Sequence, residues 1–203
     1  MLYPQIVPKA IDKIFLSYTW RRTVSGQEVF LTFDDGPHLS ITPWVLEQLR
    51  KYNFKATFFC VGDNVNKYPE IYAQILNEGH RVGNHTYNHL KGWKTECDEY
   101  ITNIAKCRAL VNSNLFRPPY GRITKSQTQL LHKEYEIIMW SLLTGDFYPN
   151  LNVAKALKIL TKKTIPGHIV VFHDSLKAEK NLRALLPNYL SFLNAENYKS
   201  VVL

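Results

Sequence analysis

Two adjacent aspartates, Asp34 and Asp35, follow the apolar stretch EVFLTF and precede a Gly-Pro turn. Neighbouring carboxylates repel each other, and a turn requires only one aspartate, so something that offsets their charge is expected nearby. A divalent cation could be held by one carboxylate while the other stays free to take a proton from water. The pair therefore predicts metal-assisted acid–base chemistry, provided that the chain supplies further ligands.

Two histidines in GNHTYNHL, His85 and His89, are candidates for those ligands. In a helical turn, their i, i+4 spacing would bring both imidazoles to one face, as a first-row metal needs. The spacing alone is equally compatible with two polar loop histidines that have no joint role. One carboxylate of Asp34 and Asp35 would complete a His₂Asp set. Such a set, with open water positions, is typical of a catalytic zinc-type site.

The elements that would position these residues alternate between short β-type runs and amphipathic stretches. Strands are predicted at EVFLTF, ATFFCVG, RVGNH, LFRPP, EIIMWS, HIVVFH and YKSVVL. Helical patterns lie between them, at residues 43–52, 69–78, 94–112, 124–133, 151–163 and 178–195. Strands that are apolar on both sides are typical of a parallel sheet covered by helices. The chain is therefore expected to form one α/β domain, either barrel-like or open.

Polar residues interrupt this pattern at the ends of the predicted strands. In chain order they are Asp34, Asp35, His85, His89, Arg117, Asp146, His173 and Asp174. In parallel α/β barrels, the chemistry lies at the carboxyl ends of the strands. These side chains are therefore expected to gather at one end of the sheet. Asp174 is expected to be mainly the N-cap of the following helix, or a brace.

Composition limits the partners of the chain. The 203 residues are 45% hydrophobic, which suits a single domain with a sizeable core. The net charge of +8 comes from scattered lysines, which indicates a solvated basic surface and no nucleic-acid partner. The cysteines, which form no CxxC pair, are expected to be reduced thiols: Cys60, Cys97 and Cys107.

The N-terminal stretch MLYPQIVPKAIDKIFLSYTWRR does not fit a signal peptide, because prolines and the Asp12-Lys13 pair interrupt any apolar core. No run approaches the ~20 apolar residues that a membrane helix needs. A soluble, cytoplasmic protein with no membrane span is therefore expected.

Five motifs, in the order TFDDGP, HTYNH, RPPYG, GDF and VVFHD, resemble those of the polysaccharide deacetylases. This family is the nodulation-factor deacetylase homology domain, carbohydrate esterase family four, and the resemblance spans roughly residues 27–203. It implies a distorted (β/α) barrel with about seven parallel strands, an incomplete TIM-like barrel. Residues 1–203 would form a single catalytic domain, with an N-terminal extension at 1–26. The implied reaction is metal-dependent hydrolysis of an N-acetyl, sometimes an O-acetyl, group from an amino sugar or saccharide.

The resemblance also implies how the first two motifs divide the chemistry. Asp34 would be the general base. Asp35, His85 and His89 would bind one divalent metal ion, with zinc expected and Co²⁺, Ni²⁺ or Mn²⁺ as alternatives. The partner would be an acetylated saccharide substrate.

The remaining motifs are implied to complete the catalytic machinery. Arg117 would keep Asp34 ionised, and the backbone N–H of Tyr120 would donate to the oxyanion. His173 would protonate the leaving amine, with a pKa raised by the carboxylate of Asp146. The family residues that contact substrate correspond here to Tyr120, to Phe147 and to Val171, which would line the acetyl-methyl pocket.

The fourth motif departs from the family pattern Asp-x-x-Asp-Trp. Leu143 occupies the first Asp position and Phe147 replaces the Trp, while the second acid, Asp146, is retained. A polar contact and a broad face for sugar stacking are therefore lost. We expect catalysis to persist, but with a specificity different from that for standard chitin or peptidoglycan strands.

Two other functions compete with the deacetylase. A catalytically inactive carbohydrate-binding protein on the same fold would usually have lost the base, the ligands or the acid, all of which this chain retains. A glycosidase needs two carboxylates ~5–9.5 Å apart on either side of the bond, which sequence neighbours cannot readily supply. Metal content of the purified protein would separate the deacetylase from both. The sugar and the oligomeric state are left open.

Overall fold

The computed structural model describes residues 6–203, in which helices and strands alternate along most of the chain. The α-helices are α1 (Ile11–Ile14), α2 (Ile41–Arg50), α3 (Gly62–Lys67), α4 (Pro69–Asn77), α5 (Cys97–Arg108), α6 (Lys125–Leu131), α7 (Val153–Lys163) and α8 (Glu179–Ala195). The strands are β1 (Glu28–Asp34), β2 (Ala56–Cys60), β3 (Arg81–Asn84), β4 (Leu115–Phe116), β5 (Glu136–Ile137), β6 (Leu142–Leu143), β7 (Ile169–His173) and β8 (Lys199–Ser200). None of the described helices is long and apolar enough to cross a membrane. The cytoplasmic location stays a prediction.

The strands form one curled, parallel sheet in the order β5-β4-β3-β2-β1-β7-β6, with β8 paired to the start of β1. The centre of the sheet is β1, which is buried from Val29 to Asp34 and pairs with β2 on one side and β7 on the other. Parallel neighbours place their carboxyl ends at the same edge, so Asp34 lies directly beside His173 in the register. This half-barrel confirms the predicted incomplete barrel of about seven parallel strands.

The two faces of β1 have different surroundings, because successive side chains of a strand point to opposite sides. On the outer face, the ring of Phe33 stacks on those of Phe58, at 5.1 Å, and Phe172, at 5.7 Å, beneath the helices. Thr32 and Asp34 point to the inside of the half-barrel, where both contact Arg117. The apolar outer face therefore holds the helices, while the inner face is free to carry polar chemistry.

The stretch EIIMWS was predicted to form one strand, but only its first two residues do so, and the next strand begins just after it. The chain pairs with β4 at Glu136–Ile137, and the amide of Ile138 still bonds to the carbonyl of Phe116 on that side. The amide of Ser141 instead bonds to Ile169, and Leu142–Leu143 pairs with β7. One apolar run therefore connects the two edges of the open sheet, and periodicity cannot reveal where it changes partner.

Part of the predicted N-terminal extension lies across the same opening. Isolated backbone bridges join it to both edges, at Ile6 with Leu142 and Thr19 with Ile138, and to the residue before β7, at Arg21 with His168. The extension therefore contributes to closing the half-barrel in the described residues. The division of the chain into an extension and a core stays a prediction.

Helix α3 was missed because its sequence, GDNVNK, buries only Gly62 and Val65 and is too short to show an apolar period. The three cysteines are free thiols, as predicted from their spacing. Cys60 and Cys107 are buried, and burial raises the pKa of both, so neither carries thiolate character at neutral pH.

Candidate active site

Asp34 ends β1 inside the half-barrel, next to a guanidinium that has no solvent exposure. Nη1 of Arg117 donates to Oδ1 of Asp34 at 2.6 Å and to Oγ1 of Thr32 at 2.8 Å. The other nitrogens of Arg117 donate to the carbonyls of Ile138, at 3.3 Å, and Met139, at 3.0 Å. Since each donor group of the guanidinium has an acceptor, the buried charge is paired and the Asp34 carboxylate is fixed in one orientation.

Asp35 follows in a left-handed backbone conformation, with φ of 79°. Its Oδ1 lies 3.1 Å from Nε2 of His89 and 3.7 Å from Nε2 of His85. The ligand atoms of the three residues lie within 4.8 Å of one another. The fold therefore brings together the three residues that the sequence analysis named as candidate ligands, and Asp35 is the aspartate of the pair that lies in this cluster.

The two histidines are not on a helical turn, which corrects the prediction from their spacing. They lie in the loop after β3, where Thr86 and His89 have left-handed φ values of 63° and 60°. The side-chain Oδ1 of Asn84 accepts from the amide of Thr86 at 2.9 Å and stabilises this loop. Convergence of the imidazoles therefore comes from a specific loop path and not from helical periodicity.

The protonation of this cluster suits a cation. Nδ1 of His85 lies 2.7 Å from the carbonyl of Arg117, to which it must donate, so its Nε2 keeps a lone pair facing Asp35. Burial lowers the pKa of His85 to about 4, so the imidazole is neutral at physiological pH. Burial opposes ionisation of Asp35, but the hydrogen bond from His89 and the charge of His173 hold its pKa below the ordinary value. A neutral imidazole and an ionised carboxylate are the forms that ligate a first-row divalent metal, so this donor set fits one.

His173 ends β7 beside a buried carboxylate that follows β6. Its Nδ1 lies 2.8 Å from Oδ1 of Asp146, and its backbone N–H donates to Oδ2 at 2.8 Å. Burial would lower the pKa of His173, but the charge of Asp146 and the hydrogen bond to it outweigh burial and raise the pKa to about 9. Nδ1 is committed to Asp146, which leaves Nε2 as the atom that can exchange a proton with a bound molecule.

The predicted substrate contacts surround these groups. The ring of Tyr120 is 53% exposed and lies edge-on to His89, with centroids 4.7 Å apart. The ring of Phe147 lies 5.0 Å from that of His173. Val171 is buried in β7 two residues before His173, so it points to the same inner face. The structure therefore places aromatic rings on both sides of the titratable groups.

Two asparagines that support the site were not identified from the sequence. Nδ2 of Asn64 donates to the carbonyl of Asp35 at 2.7 Å, and Nδ2 of Asn181 donates to that of Asp146 at 2.8 Å. Asp174 was interpreted as a helix N-cap or a brace, and the N-cap is wrong, because α8 begins at Glu179 without a side-chain cap. Its carboxylate bonds instead to the turn after Asp35. Single asparagines on helices give no sequence signal for such roles.

A family model for polysaccharide deacetylase matches residues 21–137. The chain belongs to the polysaccharide deacetylase family. Among its curated relatives, a peptidoglycan-N-acetylglucosamine deacetylase of Bacillus cereus is 36% identical over 166 residues, which cover 78% of this chain. The chain spans 60% of the length of that relative. A chitooligosaccharide deacetylase of Azorhizobium caulinodans is 35% identical over 167 residues, covering 76% of this chain and 77% of the relative.

Solved structures of this deacetylase family also match the fold. The crystal structure of a peptidoglycan N-acetylglucosamine deacetylase superimposes with a TM-score of 0.82 at 30% identity, covering 97% of this chain and 95% of the other. A family-four pseudoenzyme from Bacillus anthracis superimposes with a TM-score of 0.76 at 26% identity, covering 89% of this chain and 65% of the other. The fold alone therefore does not establish turnover, and the activity of a polysaccharide deacetylase must be argued from the site.

Proposed function

We propose that the chain is a metal-dependent hydrolase that removes the N-acetyl group from an amino sugar of an acetylated saccharide. One observation carries the proposal. The cluster of Asp35, His85 and His89 has a further carboxylate on each side, and these two carboxylates have different partners. Asp34 lies beside a buried guanidinium, whereas Asp146 lies beside an imidazole. A carboxylate paired with a guanidinium can act as a base, and an imidazole paired with a carboxylate can act as an acid, so the two pairs would supply both proton-transfer groups of one reaction.

Asp35, His85 and His89 would hold one divalent cation, for which we propose zinc. When bound, the cation would polarise the acetamide carbonyl and lower the pKa of water at the site. The mixed nitrogen and oxygen donors are also compatible with Co²⁺, Ni²⁺ or Mn²⁺. We therefore expect reconstitution with these ions to support activity to different extents.

The side chains of the protein would handle the protons. Oδ1 of Asp34 is held by Arg117, so Oδ2 is the atom that takes a proton from the attacking water. The backbone N–H of Tyr120 would donate to the developing oxyanion. His173, protonated on both nitrogens, would give the proton on Nε2 to the amine nitrogen as the C–N bond breaks. The products are acetate and a free amino sugar.

The substrate would lie between two aromatic rings. Tyr120 and Phe147 offer ring surfaces on opposite sides of the proton-transfer groups, and sugars pack on such surfaces. Val171 would line the pocket for the acetyl methyl group. The named relatives support an N-acetylated glycan as the substrate class. The effect of Leu143 and Phe147 on specificity stays a prediction.

Replacement of the base tests this function. We expect Asp34→Asn to retain about one metal ion per chain but to release acetate ~10²–10⁴-fold more slowly from acetylated oligosaccharides. Asp98→Asn, an exposed acid on α5, is the matched control for loss of one charge. Acetate can be measured by a coupled enzymatic assay and metal by elemental analysis. Equal rates for the wild type and Asp34→Asn would exclude the proposed base.

The pseudoenzyme relative makes an inactive saccharide-binding protein the second candidate. Retention of both the buried Asp34–Arg117 pair and the Asp146–His173 pair favours catalysis, because binding alone requires neither. A wild-type protein that binds acetylated oligosaccharides but releases no acetate with any of the four metals would support the second candidate instead.

A further inference from the structure

We propose that Asp174 is a positioning residue: through Gly36 and Thr42 it holds the Asp34–Asp35 turn in the conformation that separates the two carboxylates. The proposal rests on the metal site proposed above, because one of those carboxylates is its acidic ligand. Asp174 follows His173 directly in sequence, so a single segment would carry the proton donor and the residue that fixes the ligand loop.

Both oxygens of the Asp174 carboxylate are committed to this turn. Asp174 is 1% exposed, and its Oδ1 accepts from the backbone N–H of Gly36 at 3.1 Å. Its Oδ2 accepts from Oγ1 of Thr42, the second residue of α2. The same hydroxyl accepts from the backbone N–H of His38 at 2.8 Å. The carboxylate thus fixes the chain on both sides of Pro37, directly at Gly36 and through Thr42 at His38.

The turn needs such support because Asp35 has a φ of 79°, a conformation that residues other than glycine rarely adopt. A residue in this region stays there only when its surroundings over-determine it. Nδ2 of Asn64 holds the carbonyl of Asp35 from the side of α3, and the amide of Val61 holds that of Gly36 at 2.9 Å. Asp174 supplies the restraint from the opposite side.

The contact between Asp174 and the turn is also sterically tight. A Cβ atom built on Gly36 would overlap the carboxylate of Asp174, so only glycine permits this approach. The backbone N–H of Asp174 donates to the carbonyl of Asp34 at 3.1 Å, which fixes the other end of the same segment. The segment after β7 therefore contacts the residues on both sides of Asp35.

An alternative is that Asp174 acts through its charge, as a second acid at the site. Burial raises its pKa to about 7, so both protonation states are accessible near neutrality. Asparagine separates the two roles, because it keeps the shape and one acceptor but never carries a charge. Thr42 offers a second test, since it contacts Asp174 but does not titrate.

The experiment compares Asp174→Ala, Asp174→Asn, Thr42→Val and Thr42→Ser, with Asp98→Asn as the matched surface control. Zn²⁺ affinity of the metal-free proteins is measured by competition with a chromophoric chelator, and kcat and KM are measured at saturating Zn²⁺. Hydrogen exchange at the Gly36 amide directly reports its hydrogen bond to Asp174 in the metal-free state. Thermal melting shows that each variant is folded.

We expect Asp174→Ala and Thr42→Val to weaken Zn²⁺ binding by ~10–100-fold, as is typical when a group that orients a metal ligand is lost. Exchange at Gly36 should accelerate, and kcat should fall more than KM changes. Thr42→Ser should restore wild-type values because it keeps the hydroxyl. Asp174→Asn should lie between wild type and Asp174→Ala.

Folded Asp174→Ala and Thr42→Val proteins that bind Zn²⁺ as tightly as the wild type would overturn the proposal, even if they melt earlier. An Asp174→Asn protein as impaired as Asp174→Ala, beside a normal Thr42→Val, would assign the role to charge and overturn it as well. A wild-type protein that binds no metal would instead reject the proposed metal site. The two failures are therefore distinguishable.

Discussion

Replacing Asp146 with Asn should shift the basic limb of the pH–rate profile, because Asp146 sets the pKa of His173. The pKa of this imidazole is raised from 6.5 to about 9 against the opposing effect of burial. In Asp146→Asn the charge is gone and burial remains, so the pKa should fall to 6.5 or below. If the reaction requires protonated His173, the basic limb of the kcat/KM profile should shift to lower pH by about two pH units or more.

The size of the effect follows from the fraction of protonated imidazole. Near pH 8, a group with a pKa of 9 is about 90% protonated and one with a pKa of 6.5 about 3%, which gives a rate loss of about 30-fold. Near pH 6 the two proteins should differ by less than about twofold from this cause. A bound cation would offset the charge of Asp35, which contributes to the raised pKa, so the wild-type limb should lie somewhat below 9.

The assay is acetate release from one oligosaccharide between pH 5 and 10, with Asp98→Asn as the control and with metal content measured for each protein. Stability offers a second readout. The folded pKa of His173 lies above its unfolded value, so its stabilisation, on the order of 3 kcal/mol, is fully present below about pH 6.5 and is lost as pH rises through about 9. Asp146→Asn should lack this loss. A basic limb that stays in place in metal-loaded Asp146→Asn would refute the assignment of the acid to His173.

Three further predictions concern charge, packing and metal. Arg117→Met should lower the free energy of unfolding by ~3–5 kcal/mol in urea melts, because it leaves the Asp34 carboxylate buried without a partner; an unchanged midpoint would contradict the buried pair. Phe33→Ala should cost ~3–5 kcal/mol in the same assay, since the ring packs between Phe58 and Phe172. Zinc at 1,000 times its Kd should stabilise the wild type by about 4 kcal/mol, and this gain should vanish in His85→Ala; equal gains in both proteins would place the metal elsewhere.

Strands and helices that are long enough to show a hydrophobic period in their own sequence were predicted well. The apolar run of β1 and the long amphipathic pattern of α8 each carry enough residues for a period to be visible. The loop at His85–His89 was misassigned because i, i+4 spacing has no unique backbone, and its path depends on left-handed residues and on Asn84. The contacts of Asp174 with Gly36 and Thr42 could not be predicted, because the partners lie 138 and 132 residues away in sequence.

The adjacency of Asp34 and Asp35 follows from the geometry of a strand end. Within a strand, neighbouring side chains point to opposite faces, so two consecutive aspartates cannot both reach the inside of a barrel. Asp34 is the last residue of β1 and points inward to Arg117. Asp35 reaches the same cavity only because its left-handed backbone interrupts the alternation and directs its carboxylate to His89. The strand thus holds one carboxylate rigidly beside its guanidinium, and the turn holds the other beside the imidazoles. Two chemically identical neighbours therefore acquire different partners, which is the condition for one to serve as a base and the other as a ligand.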